Sequence, residues 1–82
     1  MKHAGKDALD AWEALLLQIR SYDDLKEKKR GIFYRNSKAF LHFHEDPKGL
    51  FADLRVGSAW KRFAVSTKAE CKGFLAELKS IL

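Results

Sequence analysis

Three side chains capable of acid-base or metal-ligand chemistry fall close together in the middle of this chain. His42 and His44 are separated by one residue, so both imidazoles would point to the same face of a β-strand, and Asp53 lies on the next predicted strand. Two imidazoles and a carboxylate could bind a metal ion or a small ligand. A His-x-His pair also occurs often by chance, and a His–Asp hydrogen bond on a sheet is more often structural.

Basic and aromatic side chains occupy the same alternate positions of the predicted strands. The alternation places ten residues on one open face of the sheet: Phe33, Arg35, Lys38, Phe40, His42, His44, Phe51, Asp53, Arg55 and Arg62. Three phenylalanines are unusual on an exposed face, so we expect a partner to cover it. No nucleophile, oxyanion donor set or enclosed pocket can be named, and we therefore do not predict an enzyme.

Three kinds of partner could cover this open face. A protein surface, most simply the same face of a second copy in a homodimer, would bury the phenylalanines, and aromatic and arginine residues commonly anchor such interfaces. Single-stranded nucleic acid is the alternative, with bases stacked on rings and phosphates neutralised by cations. A small ligand or metal ion at His42, His44 and Asp53 is the third. We predict a binding or interaction domain of the first kind, with no cofactor.

An antiparallel meander is predicted to position these residues. Four strands are predicted, at residues 32–35, 38–45, 50–56 and 61–65. The pair Asn36-Ser37 suits a two-residue turn, and Pro47 and Gly49 suit the loop from residue 46 to residue 49. Residues 57–60 lead into the last strand.

The predicted loop lengths also propose a register. The proposed pairs include Ile32 with Leu41, Phe33 with Phe40, His42 with Asp53, and Arg55 with Arg62. The other side of the sheet is then almost wholly apolar, with Ile32, Tyr34, Ala39, Leu41, Phe43, Leu50, Ala52, Leu54, Val56, Phe63 and Val65. Sliding a strand by one residue would drive a charged group into the core, which is costly, so the register is strongly specified.

Two helices are predicted to cover the apolar face. Apolar spacing indicates the first over residues 7–20, and Thr67 with Glu70 forms a capping box that begins the second. Residues 1–6 are predicted to be loose, and the charge run at 26–30 is predicted to be a connector. The predicted fold is a single two-layer α+β domain over residues 1–82: helix, four-stranded antiparallel meander, helix, with both helices on one sheet face.

Charge and cysteine content bear on partners and compartment. The formal net charge is +5, and residues 26–62 carry ten Lys/Arg against four Asp/Glu, a skew typical of a surface that binds polyanions. Lysines that solubilise loops and strand edges would produce the same skew. The single cysteine, Cys71, cannot form an internal disulfide, and no signal peptide or membrane-spanning run is apparent. We therefore expect a cytoplasmic protein with no membrane partner.

The central segment resembles small uncharacterised bacterial proteins, some of which carry a luciferase-family label. The resemblance covers about half the chain, and it rests on the strand Leu41-His42-Phe43-His44, on Asp53 in the next strand and on Trp60 before the last strand. No flavin-binding motif accompanies the label, so it implies no light chemistry. The order helix, antiparallel meander, helix is also similar to the YjbR-like group, and this similarity implies nucleic-acid binding.

Overall fold

An antiparallel sheet and three α-helices make up the part of the chain that this computed structural model describes, residues 2–82. The elements are β1 (Lys2–His3), α1 (Lys6–Ala11), α2 (Glu13–Arg20), β2 (Lys26–Lys29), β3 (Ile32–Arg35), β4 (Lys38–Asp46), β5 (Gly49–Val56), β6 (Ala59–Ala64) and α3 (Lys68–Ile81). The strands follow the order β2-β3-β4-β5-β6, and β1 pairs with the end of β4 that β3 does not reach. The prediction of an α+β fold with an antiparallel sheet is confirmed, but the sheet is larger than the four strands predicted.

The amino-terminal helical region is two helices instead of the single helix predicted over residues 7–20. The first begins at Lys6, one residue before the predicted start, and the break lies at Trp12. There the indole N–H of Trp12 donates to the carbonyl of Val65 at 2.6 Å. No proline or glycine marks the break, so the apolar spacing gave no sign of it.

The last helix begins as its capping signal predicted. The hydroxyl of Thr67 accepts from the backbone N–H of Glu70, and the Glu70 carboxylate accepts from the N–H groups of Ser66 and Thr67, at 2.8 to 3.1 Å. These contacts satisfy amide groups that the first turn of a helix leaves without partners. The helix buries Phe74 and Leu78.

Both segments predicted to lack structure contain strands. The charge run is the edge strand β2, not a connector, because Glu27 lies toward the helices while its lysine neighbours are exposed. Burial would raise the pKa of Glu27, but hydrogen bonds from Arg20 and from the Gly31 N–H hold it below its usual range. Lysines are suited to an edge strand because they oppose pairing with another chain. In the predicted loose terminus, residues 2–3 pair with β4, and Met1 lies outside the described residues.

The predicted register between the two central strands is confirmed. Leu41 pairs with Leu54, His42 with Asp53, Phe43 with Ala52 and Glu45 with Leu50. Each of these pairs matches apolar with apolar residues or polar with polar residues, apart from the last one near the turn. The alternation of residue types was sufficient to determine this register because one face of these strands is apolar and the other is polar.

A β-bulge at Phe40 overturns the predicted pairing between β3 and β4. The two-residue turn Asn36-Ser37 forms as predicted, and Arg35 pairs with Lys38. Beyond the bulge, however, Phe33 pairs with Leu41 and Ile32 with His42, one residue away from the prediction. A one-residue shift exchanges the faces of a strand, so Phe33 lies in the core and Ile32 and Tyr34 face outward.

The pairing of β5 with β6 is shifted by two residues from the prediction. The turn consists of Gly57 and Ser58 alone, and it places Arg55 opposite Trp60 and Asp53 opposite Arg62. The predicted pair of Arg55 with Arg62 is therefore wrong. A shift of two residues leaves every side chain on its predicted face, which is why the alternation could not distinguish the two registers.

The core lies between the helices and one face of the sheet. All three helices contribute to it, with Leu9, Leu15, Leu16, Ile19, Phe74 and Leu78, and the sheet contributes Phe33, Phe40, Leu41, Phe43, Ala52 and Leu54. Val65, which directly follows β6, belongs to the same core. Phe74 packs edge-on against the rings of Phe43 and Phe63, with centroids 6.3 and 5.5 Å apart. No helix within residues 2–82 covers the opposite face of the sheet.

Candidate nucleic-acid interface

Four of the ten residues predicted on the open face lie elsewhere. Phe33 and Phe40 are 0 and 4 % exposed and belong to the core, because the bulge turns both rings toward the helices. Arg35 and Lys38 face each other beside the hairpin turn, and the Arg35 guanidinium lies 5.5 Å from the centre of the Phe40 ring. The prediction of three exposed phenylalanines is thus wrong, since Phe51 alone of the three lies on the open face.

The structure brings the other six predicted residues together on the uncovered side of the central strands. They are His42, His44, Phe51, Asp53, Arg55 and Arg62, and all but Arg62 are partly buried. Trp60 lies on the same side, and we call these six residues together with Trp60 the open face. The prediction missed Trp60 because it placed the residue in a connection, whereas Gly57-Ser58, interpreted as a two-residue turn, would have placed it opposite Arg55.

Asp53 lies at the centre of the open face and is held by two neighbours. The Arg62 guanidinium donates two parallel hydrogen bonds to its carboxylate at 2.8 and 2.9 Å, and His44 Nε2 lies 3.1 Å from Oδ2. Chiefly through its hydrogen bond, Arg62 lowers the pKa of Asp53 below its usual range. The carboxylate therefore stays ionised, and the adjacent Arg62 guanidinium balances its negative charge.

Trp60 covers a cation beside this carboxylate. The Arg55 guanidinium lies 4.7 Å from the centre of the Trp60 ring, and Arg55 Nε donates to the Ala39 carbonyl at 2.8 Å, which fixes the guanidinium across the neighbouring strand. The His42 ring lies 4.9 Å from the indole and is tilted by 41°. Trp60 nevertheless keeps 42 % of its surface exposed. The result is a rigidly supported aromatic ring that is open to a ligand.

The basic edge strand extends the open face on its far side. Lys26 pairs with Tyr34, and Lys28 Nζ lies 4.7 Å from the centre of the Tyr34 ring, on the side away from the core. Both lysines are exposed. Cations therefore stand at both ends of the open face, Lys26 and Lys28 at one end and Arg62 at the other.

The two histidines and Asp53 do not form a recognisable metal centre. The rings of His42 and His44 are 5.9 Å apart and tilted by 58°, and the carboxylate of Asp53 is already bound by Arg62. Among the side chains that the structure describes, those of residues 4–82, no three His, Cys, Asp or Glu are grouped so that they could hold a metal ion. His44 Nε2 instead lies 3.1 Å from the same carboxylate, a contact between neighbouring strands that requires no metal ion.

In comparisons with known proteins, no family model, curated protein or solved structure matches this chain. The resemblance to small bacterial proteins and to the YjbR-like group therefore stays a prediction. Among the helices of residues 2–82, none has both the length and the apolar character needed to cross a bilayer.

Proposed function

We propose that the open face binds single-stranded nucleic acid, with Trp60 as the ring on which a base stacks. The observation that carries the proposal is the exposed Trp60 indole supported by the Arg55 guanidinium. Proteins that bind single strands combine aromatic rings with a cationic track, and each base stacked on a ring contributes about 1–3 kcal/mol. Because Arg55 and His42 already hold the indole, its side chain loses little conformational entropy when a base stacks on it.

The charges around Trp60 favour phosphates. Lys26 and Lys28 lie at one side of the open face, and Arg62 keeps about half of its side chain exposed while it holds Asp53. Because Arg62 and His44 already contact this carboxylate, its repulsion of a phosphate backbone is reduced.

The structure weakens the argument for self-association through the same face. Two of the three phenylalanines that suggested a buried interface, Phe33 and Phe40, are already covered by the helices. A twofold contact would also bring two faces of the same positive charge together. Like charges held together in this way oppose association. Nucleic acid carries the complementary charge.

Fluorescence anisotropy with a labelled oligothymidylate tests the proposal. We expect Trp60→Ala to weaken binding about tenfold or more, since it removes one stacked base, and Trp60→Phe to retain most of the affinity. The matched control is Leu17→Ala, because Leu17 is exposed on the helical side of the molecule and should not contact the oligonucleotide. A duplex of equal length should bind less well, since its bases are already stacked.

Salt dependence gives the second arm of this test. If about three cations neutralise phosphates, the logarithm of the affinity should fall with the logarithm of the salt concentration with a slope of about −2. An affinity that does not respond to salt would contradict the proposal. Equal binding by wild type and Trp60→Ala would also overturn it.

A further inference from the structure

The helical side of the molecule carries a second surface, a groove between α2 and α3. It consists of two adjoining depressions of about 560 Å³ each, which share Gln18 and Leu75. Leu17 stands on the α2 side and is 58 % exposed, more than any other large apolar side chain in the described residues. The groove lies on the opposite side of the sheet from Trp60, so it is independent of the proposed nucleic-acid site.

The floor of the groove is apolar and fixed in place. Trp12, Leu15 and Val65 line it, and the Val65 carbonyl accepts both the Trp12 indole N–H, at 2.6 Å, and the Cys71 thiol, at 3.5 Å. These bonds satisfy the polar atoms at the floor. An incoming side chain would therefore meet carbon surface, and burying it would be favourable.

The charged groups that line the groove are all of one sign. Among the described lining residues they are Lys68, Lys72 and Lys79, and each belongs to α3. Eleven residues separate the first from the last, which corresponds to about 16 Å along a helix axis. The described residues that line the two depressions include no acidic side chain. The groove thus combines an apolar floor with a row of cations along one wall.

We propose that this groove binds an amphipathic helix from a partner protein, with acidic residues along one flank of that helix. Amphipathic helices bind in this mode by laying an apolar stripe into a groove, and charges beside the stripe set their orientation. Cations spread over about 16 Å match negative charges repeated along three turns of helix. A single carboxylate headgroup could meet one of these lysines at a time.

A second copy of this chain does not supply such a helix. The acidic residues on its own first two helices include Asp10 and Glu13, and both are engaged by Arg30 at 2.7 and 2.8 Å. Arg20 also pairs with Glu13 at 2.7 Å. On α3, Glu70 is engaged in the capping box and Glu77 lies 3.4 Å from Lys61. All three helices also bury their apolar stripes in the core of their own chain, so none can offer that stripe to the groove of a second copy. We therefore assign the partner helix to a different chain.

Nuclear magnetic resonance with a designed peptide tests the proposal. The probe has about 15 residues, or four helical turns, with leucines along one stripe and glutamates along one flank. We expect saturable amide shifts confined to α2, α3 and the strand end at Val65. The thiol of Cys71 lines the groove, so its reaction with a disulfide reagent should slow severalfold when the peptide is bound.

Small exposed residues in the groove provide blocking variants that leave the core intact. Ala14 and Ala76 line it and are exposed, so Ala14→Arg or Ala76→Arg should weaken peptide binding about tenfold or more while leaving the fold and oligothymidylate binding unchanged. Lys72→Glu should weaken it similarly, and a peptide in which one facing glutamate is changed to lysine should recover part of the loss.

Several outcomes would overturn the proposal. A scrambled peptide of the same composition that bound equally well would show that charge alone is responsible. Shifts confined to the open face, or displacement of the peptide by oligothymidylate, would assign the peptide to the other surface. Binding of anionic vesicles or of a fatty acid in place of the peptide would identify a lipid ligand instead. Apart from the displacement experiment, none of these results depends on whether oligonucleotides bind at Trp60.

Discussion

At the scale of single residues, Asp53 determines the charge balance of the open face. Its carboxylate accepts two hydrogen bonds from Arg62 and lies 3.1 Å from His44, and these contacts place three ionisable groups in fixed positions beside Trp60. A carboxylate alone at that point would repel phosphate. Paired as it is, Asp53 acts as a positioning group for Arg62.

The first prediction follows from the lowered pKa of Asp53. A carboxyl whose pKa is lower in the folded state stabilises the fold above its ordinary value of 3.8, and this contribution is lost as the pH falls through the lower folded-state value. We expect Asp53→Asn to lower the free energy of unfolding at pH 7 by up to about 1 kcal/mol, a small loss because solvent screens the pair.

Urea unfolding of wild type and Asp53→Asn between pH 2 and pH 7 provides the measurement. The difference between the two proteins should begin to shrink as the pH drops below about 4, where Asp53 of the unfolded chain takes up a proton, and should vanish only below the lower folded-state pKa of Asp53. Because Asp10, Glu13 and Glu27 are titrating as well, the comparison depends on the difference between the proteins and not on either curve alone. A difference that stayed constant with pH would contradict the assignment.

The sequence was informative about individual residues where alternation was unbroken. His42, His44 and Asp53 were predicted on one face, and they are found together there. Trp60 was missed because its face depends on the length of a turn, and Phe33 was misplaced because its face depends on a bulge. Turn lengths and bulges depend on local backbone geometry, which residue alternation does not encode.

At the scale of elements, the hairpin turns fix the strands that carry the open face. In the β3–β4 turn, Asn36 and Ser37 both have positive φ, 53° and 67°, which is the conformation of the favoured two-residue hairpin turn. Asparagine tolerates this region, but serine is less suited to it. In the β5–β6 turn the positive φ falls on Gly57, so that turn carries no such strain.

The second prediction is that Ser37→Gly stabilises the protein. Glycine in the left-handed region avoids the steric cost of about 1–2 kcal/mol that serine has there. The greater flexibility of glycine in the unfolded chain offsets about 0.4–1 kcal/mol of this gain. We expect a net increase of about 0.5 kcal/mol in the free energy of unfolding, measured by urea denaturation. Ser58→Gly is the control: Ser58 has no positive φ, so the change should be neutral or destabilising.

At the scale of the whole molecule, the sheet separates two surfaces that differ in structure and share a positive charge. The helical side bears the lysine-lined groove with Trp12 at its floor, and the other side bears Trp60 over Arg55. The fully buried Phe33, Leu41 and Leu54 lie between the helices and the sheet. Any change in this shared core should therefore affect both surfaces together, whereas a change on one surface should spare the other.

The third prediction compares two phenylalanines that the sequence placed on the same face. Phe33 is fully buried, so Phe33→Ala should lower the free energy of unfolding by about 3–5 kcal/mol, a large part of the total for a small domain. Phe51 is partly exposed on the open face, and Phe51→Ala should cost about 1–2 kcal/mol. Urea denaturation measures both, and equal losses would contradict the placement of Phe33.

The bulge at Phe40 has a further consequence for tracing the ancestry of this chain. A bulge is one extra residue in one strand of a pair, and β4 changes phase at that point. In an alignment with a relative that lacks the extra residue, outward-facing positions would match outward-facing ones only if a gap of one residue were opened there. Without the gap, every column on one side of Phe40 would equate a buried position with an exposed one.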